Sequence, residues 1–169
     1  MFLDESGFNT AMTRGYARAP STERAIGQIT RNYGENHTLI CALSLAGPLA
    51  PLVIEGAVNG EFFEWYVRNQ LCPTLSPGQV VVMDNLSSHH RASVRTLIEA
   101  QGCTLLYLSP YSPDFNPIEM LFSKLKALLR GWKETTVQTL YDGIGRALEA
   151  VTPQDIFRWF RHAYLSVSL

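Results

Sequence analysis

Residues 109–119 read SPYSPDFNPIE, with three of the chain's nine prolines in this short run and a single glutamate at its end. Proline holds φ near about −65°, so the backbone approaching Glu119 is stiff. The last four residues have the grammar of a helix start. Asn116 is a favoured N-cap, Pro117 suits the first helical position, and Glu119 at the third can reach back to the cap's N–H. Glu119 is therefore either a capping carboxylate or a functional one, and the residues beyond it bear on the choice. At about 100° per residue, Ile118, Leu121, Phe122, Leu125, Leu128 and Leu129 gather on one side of the helix. Glu119, Ser123, Lys126 and Arg130 fall within roughly 60° of one another on a different side, with no large apolar residue between them. The helix buries one face and presents a carboxylate followed by a basic rail. That pattern suits a metal ion bound to substrate phosphate with a DNA backbone running past it, and equally an ordinary solvated face.

Upstream, Thr104 to Leu108 reads as a short buried strand leading into the proline-rich loop, and His90 to Gln101 as a helix ended by Gly102. Ser76-Pro77-Gly78 turns into VVVM, a continuous apolar run typical of a strand buried on both faces, with Asp84 at its carboxyl end. GEFFEWYVRNQL, 60–71, has helical spacing and closes at Pro73. TLICALSL, 38–45, is a strand ended by Gly47-Pro48, with Pro51 to Ile54 as its hairpin partner. Residues 10–36 are loop-rich, with at most a short strand near Tyr16, and carry Arg14, Arg18, Arg24 and Arg31. Residues 1–4 read as the end of a strand broken by Ser6-Gly7, which starts too late for a central strand, as though its natural beginning were missing. Two helices follow the proline-rich block, from about Thr136 to Ala150 and from Pro153 to Tyr164. The order is antiparallel strands, then β-α-β-α, then further helices: one α/β domain over 1–169 with a mixed central sheet and no linker or repeat.

Composition agrees with a globular chain. It has 169 residues, 46% hydrophobic and 17% charged, and no apolar run of the eighteen or so residues that a membrane span needs. The N-terminus MFLDESGF is no signal peptide. Cys41, Cys72 and Cys103 are odd in number and evenly spread, which suggests neither a disulfide framework nor a zinc site, and a reducing cytoplasm is expected. The net charge of −1 conceals an uneven distribution: all three lysines, Lys124, Lys126 and Lys133, follow the proline-rich stretch, so an anionic partner is expected there.

Asp4 and Asp84 each end a predicted strand, where a side chain points from a rigid sheet into the crevice above it. Alone, Asp84 reads as turn chemistry and Asp4-Glu5 as a solvated terminus. Together with Glu119, three acids on three rigid elements can supply hard oxygen ligands to Mg²⁺. A pair of such ions about 4 Å apart can hold the attacking and leaving oxygens of a phosphoryl displacement.

FLDESGF, VVMDNLSSHH and LSPYSPDFNPIEMLFSKLK resemble the three blocks of the DDE transposases of the mariner superfamily, in particular the bacterial insertion-sequence group called IS six-thirty. The interval fits: between Asp84 and Glu119 there are 119 − 84 − 1 = 34 residues. GYARAP, 15–20, is similar to a segment between the family's first two strands. The resemblance implies a ribonuclease-H-like fold, with Asp4, Asp84 and Glu119 as a catalytic triad binding two Mg²⁺ or Mn²⁺ ions. It also implies that water cuts the transposon end and that the freed 3′-hydroxyl attacks target DNA, often at TA dinucleotides. The prolines and Asn116 then fix where the helix begins, so that Asn116 and Pro117 support the site.

Three departures from the family pattern stand out. No helix-turn-helix region precedes the first block, so the chain is expected to be a catalytic half. Phe122 stands where Trp is common, and Ser109 where the loop's first proline is usual. His89 and His90, without a Cys or His partner at ligand spacing, are expected to start a helix or contact phosphate rather than bind zinc. The expected DNA contacts are Lys124, Lys126, Arg130, His89 and His90; the partners are double-stranded DNA, as transposon ends and target, and a second copy in a homodimer, at the bacterial nucleoid. Trp65, Trp132 and Trp159 are expected in the core or an interface, and the aromatic last helix at a dimer contact. Two alternatives are a stand-alone ribonuclease-H-like nuclease and a non-catalytic truncated or domesticated fragment.

Overall fold

The computed structural model describes residues 1–13, 19–24, 26, 34–85, 91–109 and 113–165. Strands β1 (Phe2–Phe8), β2 (His37–Ser44) and β3 (Gly47–Glu55) form an antiparallel meander. Strands β4 (Val80–Met83) and β5 (Thr104–Tyr107) extend the sheet in parallel on the other side of β1, in the order β3-β2-β1-β4-β5. One face is covered by α1 (Gly60–Tyr66), with its continuation through a π-turn to Leu71, and by α2 (Ala92–Ala100). The other packs on α3 (Pro117–Trp132), α4 (Val137–Glu149) and α5 (Pro153–Leu165). This is the expected mixed α/β architecture with antiparallel first strands.

Each layer follows from alternation in the strands. Phe2 and Phe8 of β1 and Leu39, Cys41 and Leu43 of β2 join the α3 side of the core. Leu3, Ile40 and Ala42 join the α1 side. The amphipathic reading of α3 holds: Ile118, Leu121, Phe122, Leu125 and Leu129 are all buried, each such side chain contributing about 1.5–3 kcal/mol. Helix α4 crosses close to α3 at Gly143, where an added Cβ would lie 2.8 Å from Leu129 Cδ2. Its start carries a reciprocal cap in which Thr136 Oγ1 accepts from Thr139 N–H and Thr139 Oγ1 accepts from Thr136 N–H, both at 3.2 Å. Trp159 and Phe160 of α5 enter the same core, with Phe160 edge-on to Phe2 at 5.7 Å between ring centroids.

Two strand expectations are corrected. Strand β1 does not stop at Asp4. Ser6 pairs with Leu39, Gly7 with Thr38 and Phe8 with His37, so a dipeptide that reads locally as a break is carried by the ladder to an apolar neighbour. Nor are β4 and β5 buried on both faces. Val81, Met83 and Leu105 are buried against α1 and α2, whereas Val80 is 39% and Leu106 51% exposed. The reason is coverage: α5 reaches the margin of that face and leaves a groove of about 730 Å³ lined by Val80, Val82, Leu106, Phe115 and Phe160.

The three cysteines are free and buried, and burial pushes the Cys41 thiol up to about 12. Among the described residues no helix is long and apolar enough to cross a membrane. Trp65 is 45% and Trp132 39% exposed, the latter with the Arg146 guanidinium 4.7 Å above its ring, so only Trp159 belongs to the core as expected. Phe157 of α5 is strongly exposed, at 65%.

Candidate active site

Asp4 lies mid-strand on the central strand, on the α3 side with Phe2 and Phe8, and is 6% exposed. Asp84 follows directly on β4. Phe2 pairs with Val82 and Leu3 with Met83, so Asp84 leaves the end of β4 on the strand next to the one that carries Asp4. Asp84 also has the strand parity of Val82, which packs on the α3 side. A short 3₁₀ turn, Pro113–Phe115, then leads into Asn116, with Pro117 as the first residue of α3. The approach through Pro110, Tyr111 and Ser112 lies outside the described residues, as do His89, His90 and most of GYARAP, with Tyr16, Arg14, Arg18 and Arg31.

Asn116 departs from the expected capping role. Its backbone is extended, φ −108° and ψ 94°, as an N-cap's should be, but its side chain caps nothing. Instead Nδ2 donates to Asp4 Oδ2 at 2.8 Å, while the Glu5 N–H donates to Asp4 Oδ1 at 2.7 Å. The carboxylate can only accept, so Nδ2 must be the atom facing it, and this leaves Oδ1 on the other side. Asn116 is 4% exposed and that Oδ1 has no hydrogen-bond partner. A buried acceptor without a donor costs about 1–3 kcal/mol. The reading of Asn116 and Glu119 as a plain capping box is overturned: the side chain that would form it is turned to a carboxylate far away in sequence.

Glu119 is exposed on the first turn of α3. With Asp114, Asn116, Ser123 and His162 it lines a cleft of about 320 Å³ between the start of α3 and the end of α5. The fold thus brings Asp4 to the start of α3, puts Asp84 at the end of the adjacent strand, and puts Glu119 one helical turn from the contact. Among the described residues no three His, Cys, Asp or Glu side chains form a group that could hold a metal ion. The donor set itself suits a hard cation, with carboxylate oxygens on three elements and an orphaned amide oxygen beside one of them.

The cations divide by what they touch. Lys126 Nζ sits 5.4 Å from the centroid of the Phe8 ring. Burial lowers its pKa, the Glu119 carboxylate opposes that, and Arg130 adds to it. Arg130 is exposed on the same side. Lys124 differs, because its ammonium donates to the Ala150 carbonyl at 2.9 Å and to Asp155 Oδ2 at 2.5 Å, tying α3 to the α4–α5 junction. Lys124, expected as a DNA contact, is engaged here as an internal tie on the flank of α3 that meets α5.

His162 and Asp114 line the cleft without having been singled out in the sequence. The signal for His162 was its seven-residue spacing from Asp155, which sets both on one edge of α5. For Asp114, nothing distinguishes it from turn chemistry.

The profile of the DDE superfamily endonuclease family matches residues 1–140. The chain belongs to that family. The Tcb1 transposase of Caenorhabditis briggsae is 27% identical over 180 residues, which cover 89% of this chain and 66% of that protein. In structure, the DDE endonuclease domain is similar to a pre-cleavage Mos1 transpososome, with TM-score 0.78 and 15% identity over 96% of this chain and 52% of the Mos1 chain. The Mos1 mariner paired-end complex with Mn gives TM-score 0.78 and 18% identity over 96% and 51%. The catalytic domain of Mos1 alone gives 0.68 and 15% over 96% and 75%. These likenesses establish the shared ribonuclease-H-like fold. The DDE endonuclease domain spans about half the length of the Mos1 chains in those complexes.

Proposed function

We propose that this chain is the catalytic domain of a transposase of the bacterial IS six-thirty group, which cleaves double-stranded DNA at transposon ends and joins the freed 3′-hydroxyl to target DNA. The single observation that supports this most directly is the Asp4–Asn116 hydrogen bond. It links the acid on the central strand to the first turn of α3, where Glu119 stands. In this reading Asp4, Asp84 and Glu119 hold two divalent ions, and the Mos1 relatives have been solved with Mn and with Mg. Such ions supply Lewis-acid stabilisation of the charge that develops on the attacking and leaving oxygens. The chain's own part is placement: the sheet fixes two carboxylates, the Asn116 contact fixes the third relative to them, and Lys126 and Arg130 hold the phosphate backbone beyond Glu119. A homodimer acting on DNA at the nucleoid completes the reading, and Mos1 is described in a paired-end complex with its left transposon end.

Asp84→Asn and Glu119→Gln are expected to abolish Mg²⁺-dependent strand cleavage while thermal unfolding stays cooperative. Cleavage that survives either change refutes the triad. A second reading is a fragment that binds DNA or a longer copy without cutting, in line with the lack of an assembled group of three such ligands among the described residues. Metal-independent DNA binding, with no cleavage by the unaltered chain, would establish it.

A further inference from the structure

Asn116 carries two features that a helix cap does not explain. Its amide nitrogen is committed to Asp4, and its amide oxygen is buried with no donor, although the residue borders the cleft that holds Glu119. A favoured N-cap residue has given up the N–H of its own helix, and a buried polar group in a native fold finds a partner. Asn116 itself lines that cleft, so a group bound there is the candidate donor for the unpartnered Oδ1. Resting on the proposed function, we infer that Asn116 is a positioning residue with two tasks. Nδ2 holds the Asp4 carboxylate in one orientation, and Oδ1 accepts a hydrogen bond from the hydration shell of a divalent ion bound between Asp4 and the first turn of α3.

The inference separates two roles that would otherwise look alike. A residue that only stabilises the start of α3 would act on unfolding and leave metal affinity proportional to the folded fraction. A residue that orients a ligating carboxylate and its water acts on affinity in the fully folded protein, and loss of such a partner weakens metal binding by about 10–100-fold.

The test is a Mn²⁺ titration of the whole chain, without DNA, read by the electron paramagnetic resonance of free Mn²⁺ and by water-proton relaxation of the bound ion. It is run on the unaltered protein, Asn116→Leu, Asn116→Ser and Asp84→Asn, with a thermal melt of each metal-free protein. Asn116→Leu fills the same space and removes both polar atoms; Asn116→Ser keeps a group that can donate and accept if the leucine variant fails to fold. The expected result is a dissociation constant raised about 10–100-fold in Asn116→Leu, less in Asn116→Ser, with altered relaxation per bound ion and cooperative melting. Equal affinity and equal relaxation in a folded Asn116 variant overturn the inference while leaving the triad standing, since Asp84→Asn still loses Mn²⁺. An unaltered protein that binds no Mn²⁺, or binds it as well after Asp84→Asn, overturns the proposed function and this inference with it.

Discussion

Asp155→Asn tests how α5 is fastened to α3. Asp155 Oδ2 accepts from Lys124 Nζ at 2.5 Å, from Thr152 N–H at 2.9 Å and from Thr152 Oγ1 at 2.7 Å. The Lys124 hydrogen bond first, and then those of Thr152, lower the Asp155 carboxyl from 3.8 to about 2. That difference corresponds to about 2 kcal/mol at about 1.36 kcal/mol per pH unit. A quarter of the side chain remains exposed, at 25%, and solvent screening reduces the figure to about 1 kcal/mol. A protein of this size loses about 2–4 °C of melting temperature per kcal/mol, so Asp155→Asn should melt about 2–4 °C lower at pH 7. A carboxyl depressed in the folded state stabilises above its unfolded pKa, and that contribution disappears as pH falls through the folded value. The gap between the two proteins should be constant from pH 7 to about 5 and shrink from about pH 4 towards 2. Melts across that range, with Lys124→Met and the double variant to complete a cycle, measure it. An unchanged melting temperature at pH 7, a gap that does not narrow in acid, or additive single effects would refute the reasoning.

Three further outcomes follow from other contacts. Lys126→Ser with Arg130→Ser should weaken binding to duplex DNA and flatten the dependence of log affinity on log salt by about 1.8, at about 0.9 per lost phosphate contact; an unchanged slope in a salt titration would make the rail a solvated face. Gly143→Ala gains up to about 1 kcal/mol in helix propensity but forces a Cβ within 2.8 Å of Leu129 Cδ2 and 3.0 Å of Glu134 Cγ. With overpacking costing about 1–3 kcal/mol, urea denaturation should show a net loss of about 1 kcal/mol. Tyr141→Phe removes the hydroxyl 2.9 Å from His37 Nδ1, and His37 Nε2 already has no partner in a 1% exposed side chain. Leaving both ring nitrogens without partners should cost about 1–3 kcal/mol by the same measurement.

The parts of this fold that were legible in the sequence are those in which neighbours along the chain determine the outcome. The apolar stripe of α3, the Thr136 cap of α4, the Pro153 start of α5 and the positive-φ Gly102 after α2, at φ 72°, all depend on residues within a turn or two. What was misread depends on distant partners. Asn-Pro-Ile-Glu reads as a capping box until Asp4 claims the amide, and Ser6-Gly7 reads as a break until β2 pairs with it. VVVM reads as doubly buried because its apolar run does not disclose that α5 stops short of one face. Lys124 and Lys126 look equivalent in sequence. Their fates diverge because one flank of α3 meets α5 while the other meets Phe8.

The Asp4–Asn116 contact also sets an order of events during folding. It joins residues 112 positions apart, and Asp4 reaches Asp84's strand only through pairing of Phe2 with Val82. Closing loops of that length is slow compared with forming a helix or a hairpin. The β1–β2–β3 meander and α3 can each form from nearby residues, but the ground between their acids exists only once β4 has docked beside β1 and α3 has folded back over the sheet. Until residue 119 has left the ribosome, the chain lacks both Glu119 and the cleft that it lines between α3 and α5.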